Sequence, residues 1–414
     1  MTSSIGSGSA AAETTGRLVM VLSDDVHGDE STINETLRSV ASVTSIASTS
    51  DFADGAMSTA GLDQADATVF AELGIAVITA DPAQIAAIEA AAEADPRVLS
   101  VEPEHIMYAL TEVLPVGPNP TPDDLVDGQY VDGSTTTWGL VATQAHRCRF
   151  TGQQIKVAVL DTGFDLDHPD FAGRSITAQS FITDESAQDG HGHGTHCVGT
   201  SCGATNSEGR RYGVASGAEL FVGKVLSNAG SGTDSSILAA MSWAITSGCR
   251  VISMSLGADL RTVSKAYEAV GRRALTAGTL VVAAAGNNAR RRNGNFGFVG
   301  TPANSPSILA VAAVDARLGV ADFSARTNPV SGGKIDIAGP GVAVYSSWPM
   351  PERTKSISGT SMATPHVAGL AALWSEATGD TGRALWQTML RGARRMELPA
   401  IDVGVGLAQA PSTV

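Results

Sequence analysis

Four stretches of this chain carry side chains that could hold an imidazole against a carboxylate, move a proton or attack a carbonyl carbon. Asp161 directly follows the apolar run Lys156–Leu160 and precedes Thr162-Gly163. A carboxylate at a strand end, turned by a glycine, can hold a buried partner, although many strands end in Asp for turn reasons alone. The stretch Asp189-Gly-His-Gly-His-Gly-Thr-His196 places three histidines within six residues. His191, His193 and His196 could form a metal cluster. Equally, one of them could be a general base on the first turn of a helix, oriented by a carboxylate, or all three could be incidental to a glycine-rich loop. His193 and His196 are three residues apart and could share a helix face, which leaves metal open. Ser361, in Gly359-Thr-Ser-Met-Ala-Thr-Pro365, stands where an apolar helix begins. Its hydroxyl can be exposed there, with its own N–H facing an oxyanion. A plain N-cap serine reads the same way, and Pro365 suits the first turn in either case. Asn287 follows the run Val281–Gly286 and offers either an amide donor for developing negative charge or an ordinary turn residue.

The elements around these residues suggest how they are positioned. Continuous apolar runs at 156–160, 219–225, 251–255, 280–285 and 308–313 alternate with helical stretches such as 235–246 and 263–276. Strands buried on both faces and spaced by helices predict a parallel sheet covered on both sides. A site in such a sheet lies at the carboxyl ends of the strands, where all four stretches fall. Upstream, 17–22, 74–80, 98–101 and 105–110 read as strands. Helices are predicted at 31–42, opened by a Ser or Thr cap, and after Asp81-Pro82. The expected organisation is a disordered tail over 1–16, a small domain over 17–110, an exposed linker over 111–135 and a large domain over 136–414.

The bulk numbers agree with a folded two-domain chain. Of 414 residues, 43% are hydrophobic and 17% charged, and no apolar run is long enough for a membrane helix. The net charge of −15 is divided unevenly, with 3 basic and 22 acidic residues through position 135 and 24 basic and 20 acidic beyond it. An acidic segment beside a mildly basic body can mark two modules that dock on each other. Neither half suggests nucleic-acid binding. The first residues lack a basic stretch followed by an apolar one, so no signal peptide is expected. The compartment is then cytoplasmic or reached by a signal outside this chain. Four cysteines are too few for a disulfide framework, though one or two bridges would fit an exported protein.

Taken together, the blocks resemble the subtilisin-like serine proteases. They are Val157–Gly163, His193–Thr200, Ser253–Gly257, Ala283–Asn287 and Gly359–Gly369. The order Asp, His, Ser, rather than any other order of these three, is the subtilisin order. The resemblance spans residues 136–410. It implies a three-layer α/β fold with a central parallel sheet, preceded by a small α+β, ferredoxin-like propeptide domain. It also selects among the histidines, because only His193 is followed by Gly-Thr-His. By this likeness Ser361 is the nucleophile, His193 its general base and acid, Asp161 the orienting carboxylate, and Asn287 with the Ser361 amide the oxyanion hole. Ser255, Leu256 and Gly257, with Gly230, Ser231 and Gly232, resemble the two segments between which a peptide lies as an added strand. Ala284, Ala285, Gly286 and Gly300 resemble the walls of the S1 pocket and imply a hydrophobic P1 residue. The neighbouring run Arg290–Arg292 is expected to be solvated.

The same likeness extends to residues 17–110 as an inhibitory propeptide whose end, near Tyr108–Leu110, enters the cleft as a product, with 50–68 as an insertion. It implies an enzyme made as a self-processing zymogen that acts on polypeptides, with its own propeptide as intramolecular inhibitor. It further implies no membrane or nucleic-acid partner, a monomer, an extracellular setting by family default and no cofactor for catalysis. Asp170 matches a family calcium ligand, whereas the loop 203–213 departs from the family's calcium loop, so a weak calcium site or none is expected. Cys197 resembles a free thiol beside the catalytic helix. A transacylase of the same fold and a catalytically silent relative are the alternative readings.

Overall fold

The computed structural model describes residues 13–49, 65–111, 128–328 and 332–412. Its larger part is built on a parallel sheet of β6 (Lys156–Asp161), β7 (Ile176–Ser180), β8 (Glu219–Lys224), β10 (Val251–Met254), β12 (Leu280–Ala284), β13 (Leu309–Val314) and β14 (Ile337–Pro340). The seven lie in the order β14-β13-β12-β10-β6-β8-β7. The central strands β10, β12 and β13 are buried at every residue, which is why they read as unbroken apolar runs rather than alternating ones.

Helices cover this sheet on both faces. On one side lie α3 (His193–Cys202) and α6 (Thr360–Thr378), and on the other α4 (Asp234–Thr246) and α5 (Lys265–Thr276). Both α3 and α6 are buried almost all round, so they show little amphipathic periodicity. The sequence places Pro365 in the first turn of α6, but the helix starts at Thr360 and Pro365 falls in its second turn. With no N–H at Pro365, the Ser361 carbonyl is released from the helix ladder. It accepts instead from Ser255 Oγ at 2.7 Å.

The smaller part contains β1 (Thr14–Leu22), α1 (Glu30–Ala41), β2 (Ile46–Ser48), β3 (Ala67–Phe70), β4 (Ile75–Ile78), α2 (Ile85–Ala94) and β5 (Val98–Ala109). Its strands follow the order β5-β1-β4-β3-β2, the ferredoxin-like arrangement. Several local expectations are corrected. Residues 14–16, assigned to the tail, extend β1 and pair Thr14 with His105. The cap of α1 is Asp29, whose carboxylate accepts from Thr32 N. After Asp81-Pro82 a turn intervenes, and α2 begins only at Ile85. The two closing strands are one, because Pro103 lies on an edge where no ladder N–H is required. The expectations for 1–12, 50–64 and 112–127 lie outside the described residues. The linker ends earlier than expected: Tyr130 N donates to Ala316 O at 2.8 Å, and Asp132 accepts from Trp138 N at 2.7 Å. All four cysteines are free thiols.

Candidate active site

Asp161 closes β6 and is fully buried. Its Oδ1 lies 2.7 Å from Nδ1 of His193 and accepts from Thr162 N at 2.7 Å. His193 opens α3 directly after Gly192, whose φ of 103° is a conformation other residues rarely adopt. A Cβ at Gly192 would also meet the Trp348 ring at 2.3 Å. The turn before His193 is organised by Asp189, which the sequence reading passed over. Its buried carboxylate accepts from Thr162 Oγ1, from the amides of His191, Gly192 and Thr195, and from Thr195 Oγ1. Placing a carboxylate over the exposed amides of a helix start is favourable, and its position in Asp-Gly-x-Gly-His was the available signal.

The other two histidines serve elsewhere. His196 Nε2 donates to Val344 O at 2.9 Å, and burial pulls its pKa down to about 3. His191 accepts from His193 N through Nδ1, and burial lowers its pKa as well. The triple-histidine cluster therefore does not form. Asp161, His193 and Cys197 do bring one potential ligand atom each within 4.8 Å. Burial and the nearby Asp161 push the Cys197 thiol well above its usual pKa, so it stays protonated and is a poor metal ligand.

Ser361 is the second residue of α6 and is buried beside Ser255. Its Oγ donates to Ser255 O at 2.9 Å. His193 Nε2 has no hydrogen-bond partner among the described residues. Asn287 lies just beyond β12, with its side-chain oxygen held by Thr360 N at 3.0 Å and Thr360 Oγ1 at 2.9 Å. Those bonds turn its amide N–H outward, and Nδ2 donates to Leu110 O at 2.8 Å. Thr360 thus orients Asn287, a role without any sequence signal beyond its place before Ser361.

The end of β5 fills the cleft between two edge segments of the larger part. It pairs antiparallel with β11 (Leu256–Gly257), joining Leu256 to Ala109 and Gly257 to Tyr108. On its other side it pairs with β9 (Ser231–Thr233), joining Ser231 to Tyr108 and Gly232 to Met107. Ala109 N donates to Gly230 O at 3.0 Å and Leu110 N to Ser255 O at 3.3 Å. All six residues expected to flank a peptide therefore touch this strand. Ala284, Ala285, Gly286 and Gly300 lie together next to them. Gly300 N donates to Ala285 O, and Thr301 bridges to Ala258, beside the Gly257 that approaches the Leu110 side chain.

In the run Arg290–Arg292, expected to be solvated, Arg290 and Arg292 are exposed, whereas Arg291 pairs with Asp402 at 2.7 Å. Burying Asp402 requires that partner. Asp170 is paired with Arg353 at 2.5 Å.

Against known proteins, the profile of the subtilase family matches residues 152–406. Subtilisin E of Bacillus subtilis (strain 168) is 39% identical over 282 residues, covering 67% of this chain and 65% of that protein. Subtilisin Savinase of Lederbergia lenta is 43% identical over 240 residues, 57% of this chain and 82% of that protein. Subtilisin DY of Bacillus licheniformis is 39% identical over 243 residues, covering 58% and 84% respectively. The chain thus spans just under two thirds of subtilisin E.

Proposed function

Since the chain belongs to the subtilase family, we propose that it is a serine endopeptidase made as a zymogen, with residues up to Leu110 as its inhibitor. Ser361 Oγ turns from Ser255 O to His193 Nε2 and attacks a substrate carbonyl as His193 takes its proton. Asp161 holds the imidazole by Nδ1 and balances its charge once protonated. The carbonyl oxygen becomes an oxyanion beside Asn287 Nδ2, already oriented by Thr360, and the Ser361 amide is its second donor. His193 then protonates the leaving amine, and water releases the acyl group by the same steps in reverse.

The observation that carries this reading is the seating of β5. A strand added to both edge segments, with the Leu110 carbonyl hydrogen-bonded to Asn287, is how a peptide poised for cleavage at the next bond would lie. Self-processing then falls at Leu110–Thr111, and Leu110 is in the P1 position. The small residues Ala284, Ala285, Gly286 and Gly300 beside the cleft support a hydrophobic P1 preference. The acidic carboxylates of the small domain that reach the larger one support it as a docked inhibitor rather than an incidental neighbour.

N-terminal sequencing and intact mass of purified wild type and Ser361→Ala test this directly. Wild type is expected to begin at Thr111, with the upstream piece retained or lost, and Ser361→Ala to stay uncut. Identical uncut chains would sink self-processing. A fluorophosphonate label absent from wild type would sink the nucleophile, and ligated rather than hydrolysed peptide products would point to transacylation.

A further inference from the structure

Asp170 sits in the turn Pro169–Phe171 with its side chain only 1% exposed. A carboxylate that deep needs a cation or several donors, because an uncompensated buried charge is costly. Both of its oxygens are engaged: Arg353 Nη2 lies 2.5 Å from Oδ1, and the Tyr212 hydroxyl donates to Oδ2 at 3.0 Å. Calcium would need roughly six to eight oxygens, and the loop that would have to supply the others is closed on itself. The carbonyls of Ala204, Asn206 and Arg210 accept from Tyr212 N, Gly209 N and Asn206 N, and that of Arg211 accepts from Thr137 N. The Asn206 side-chain oxygen accepts from the amides of Glu208 and Arg210. The Arg210 guanidinium lies 4.9 Å above the Tyr345 ring, adding a second fixed positive charge. A divalent ion arriving here would meet guanidinium groups and carbonyls that each already hold a donor.

We propose that the Arg353 guanidinium is the built-in cation of this corner, standing where the family likeness of Asp170 would place a structural calcium. What the pair secures is close to the chemistry. Arg353 lies on the turn of the hairpin formed by β15 (Val344–Ser347) and β16 (Thr354–Ile357). Further bonds dock that hairpin: His168 Nε2 to Arg353 O at 2.8 Å, Met350 N to Asp165 Oδ2 at 2.9 Å, His196 Nε2 to Val344 O at 2.9 Å, Ser346 Oγ to His196 O at 2.9 Å and Ser347 Oγ to Thr195 O at 2.8 Å. The same hairpin carries Trp348, whose ring lies against Gly192 at the start of α3. The ion pair therefore buttresses the turn that presents His193, without a metal that a chelator could remove.

The test needs no catalytic activity, so its outcome is separate from that of the protease reading. Thermal unfolding of the full Ser361→Ala chain, chosen to prevent self-digestion, is followed in EDTA and in millimolar calcium chloride. The same is done with Asp170→Asn and Arg353→Gln added. The parent is expected to respond to calcium no more than the Asp170→Asn variant does. Arg353→Gln is expected to lower the midpoint by about 5 °C in both solutions. A rise in calcium that Asp170→Asn abolishes would overturn the proposal, as would an unchanged midpoint in Arg353→Gln. If Arg353→Gln does not fold, the calcium comparison between the parent and Asp170→Asn still decides.

Discussion

The larger and smaller parts of this molecule both lay helices on a sheet, but they complete their cores in different ways. In the larger part, both faces of the parallel sheet are covered by its own helices, and its central strands are buried at every residue. In the smaller part only one face is self-sufficient. Leu18, Met20 and Leu22 of β1, with Ala76 and Ile78 of β4, pack under α1 and α2. The alternate residues Val19, Val21, Ile75 and Val77, with Met107 of β5, belong to the core of the larger part. The period of two along a strand sends every second side chain across the interface. The smaller part is thus a half-finished core that the larger one completes.

Polar contacts at the seam repeat the asymmetry, because carboxylates of the smaller part meet helix starts of the larger. Glu104 accepts from Ser235 N at the head of α4, and Glu102 accepts from Lys265 N at the head of α5. Asp24 pairs with Arg272 and Arg273 at 2.9 Å. This is where the uneven charge read from the sequence is used: acidic groups lie over helix dipoles and arginines. In the catalytic centre the bonds of Asp161 with His193, Ser361 with Ser255 and Thr360 with Asn287 instead run within the larger part and are buried.

That contrast predicts distinct consequences for changes on the two sides. The largest concerns Asn287→Ala, which removes the donor that the centre aims at Leu110 O and leaves the carboxylate contacts of the seam in place. Turnover of a peptide substrate is expected to fall by about 10²–10³ in kcat with KM little changed, the usual cost of one oxyanion-hole donor and a figure that itself comes from subtilisin. A fall in KM affinity alone would count against the role of Asn287. Next, Glu104→Ala should spare catalysis by the processed enzyme but weaken its inhibition by added propeptide. Glu104 accepts from Ser235 N at 3.0 Å across the seam, and a hydrogen bond to a charged group contributes about 1.5–3 kcal/mol, or about 10- to 100-fold in the inhibition constant. Equal inhibition by both peptides would mean that the seam is held by apolar contact alone.

The smallest effect is that of pH on docking. His105 of the smaller part lies 3.4 Å from Asp234 of α4, and its hydrogen bond to that carboxylate raises its pKa above the usual 6.5. A pKa raised in the docked state means that protonated His105 favours docking. Its contribution is complete below pH 6.5 and is lost as pH rises through the docked value. Inhibition by the propeptide should therefore weaken severalfold toward alkaline pH, and His105→Gln should flatten that dependence. Because His105 is half-buried, solvent screening keeps the effect modest.

The positions of Asp161, Asn287 and Ser361 were legible because each follows or opens a strongly patterned apolar element. His193 was harder, since three histidines share one loop and spacing left metal open. Burial decided it, by sending His196 to a backbone carbonyl in another hairpin and leaving only His193 beside Asp161. The strand character of Thr14–Gly16 had no local signal, because polar residues become a strand there only through pairing with β5. Arg291 read as solvated because its partner Asp402 lies 111 residues away.

By itself the sequence determined the parallel sheet, the four positions aligned at its carboxyl edge and the charge imbalance between the two parts. Those are properties of local pattern, and hydrophobic periodicity records them directly. The tertiary structure decided which groups meet. Thr360 with Asn287, Asp189 over the start of α3, Leu110 in the cleft and Arg353 on Asp170 are contacts between distant segments. No local rule encodes such a pair, because each exists only once buried strands and helices have brought its two residues within hydrogen-bonding distance.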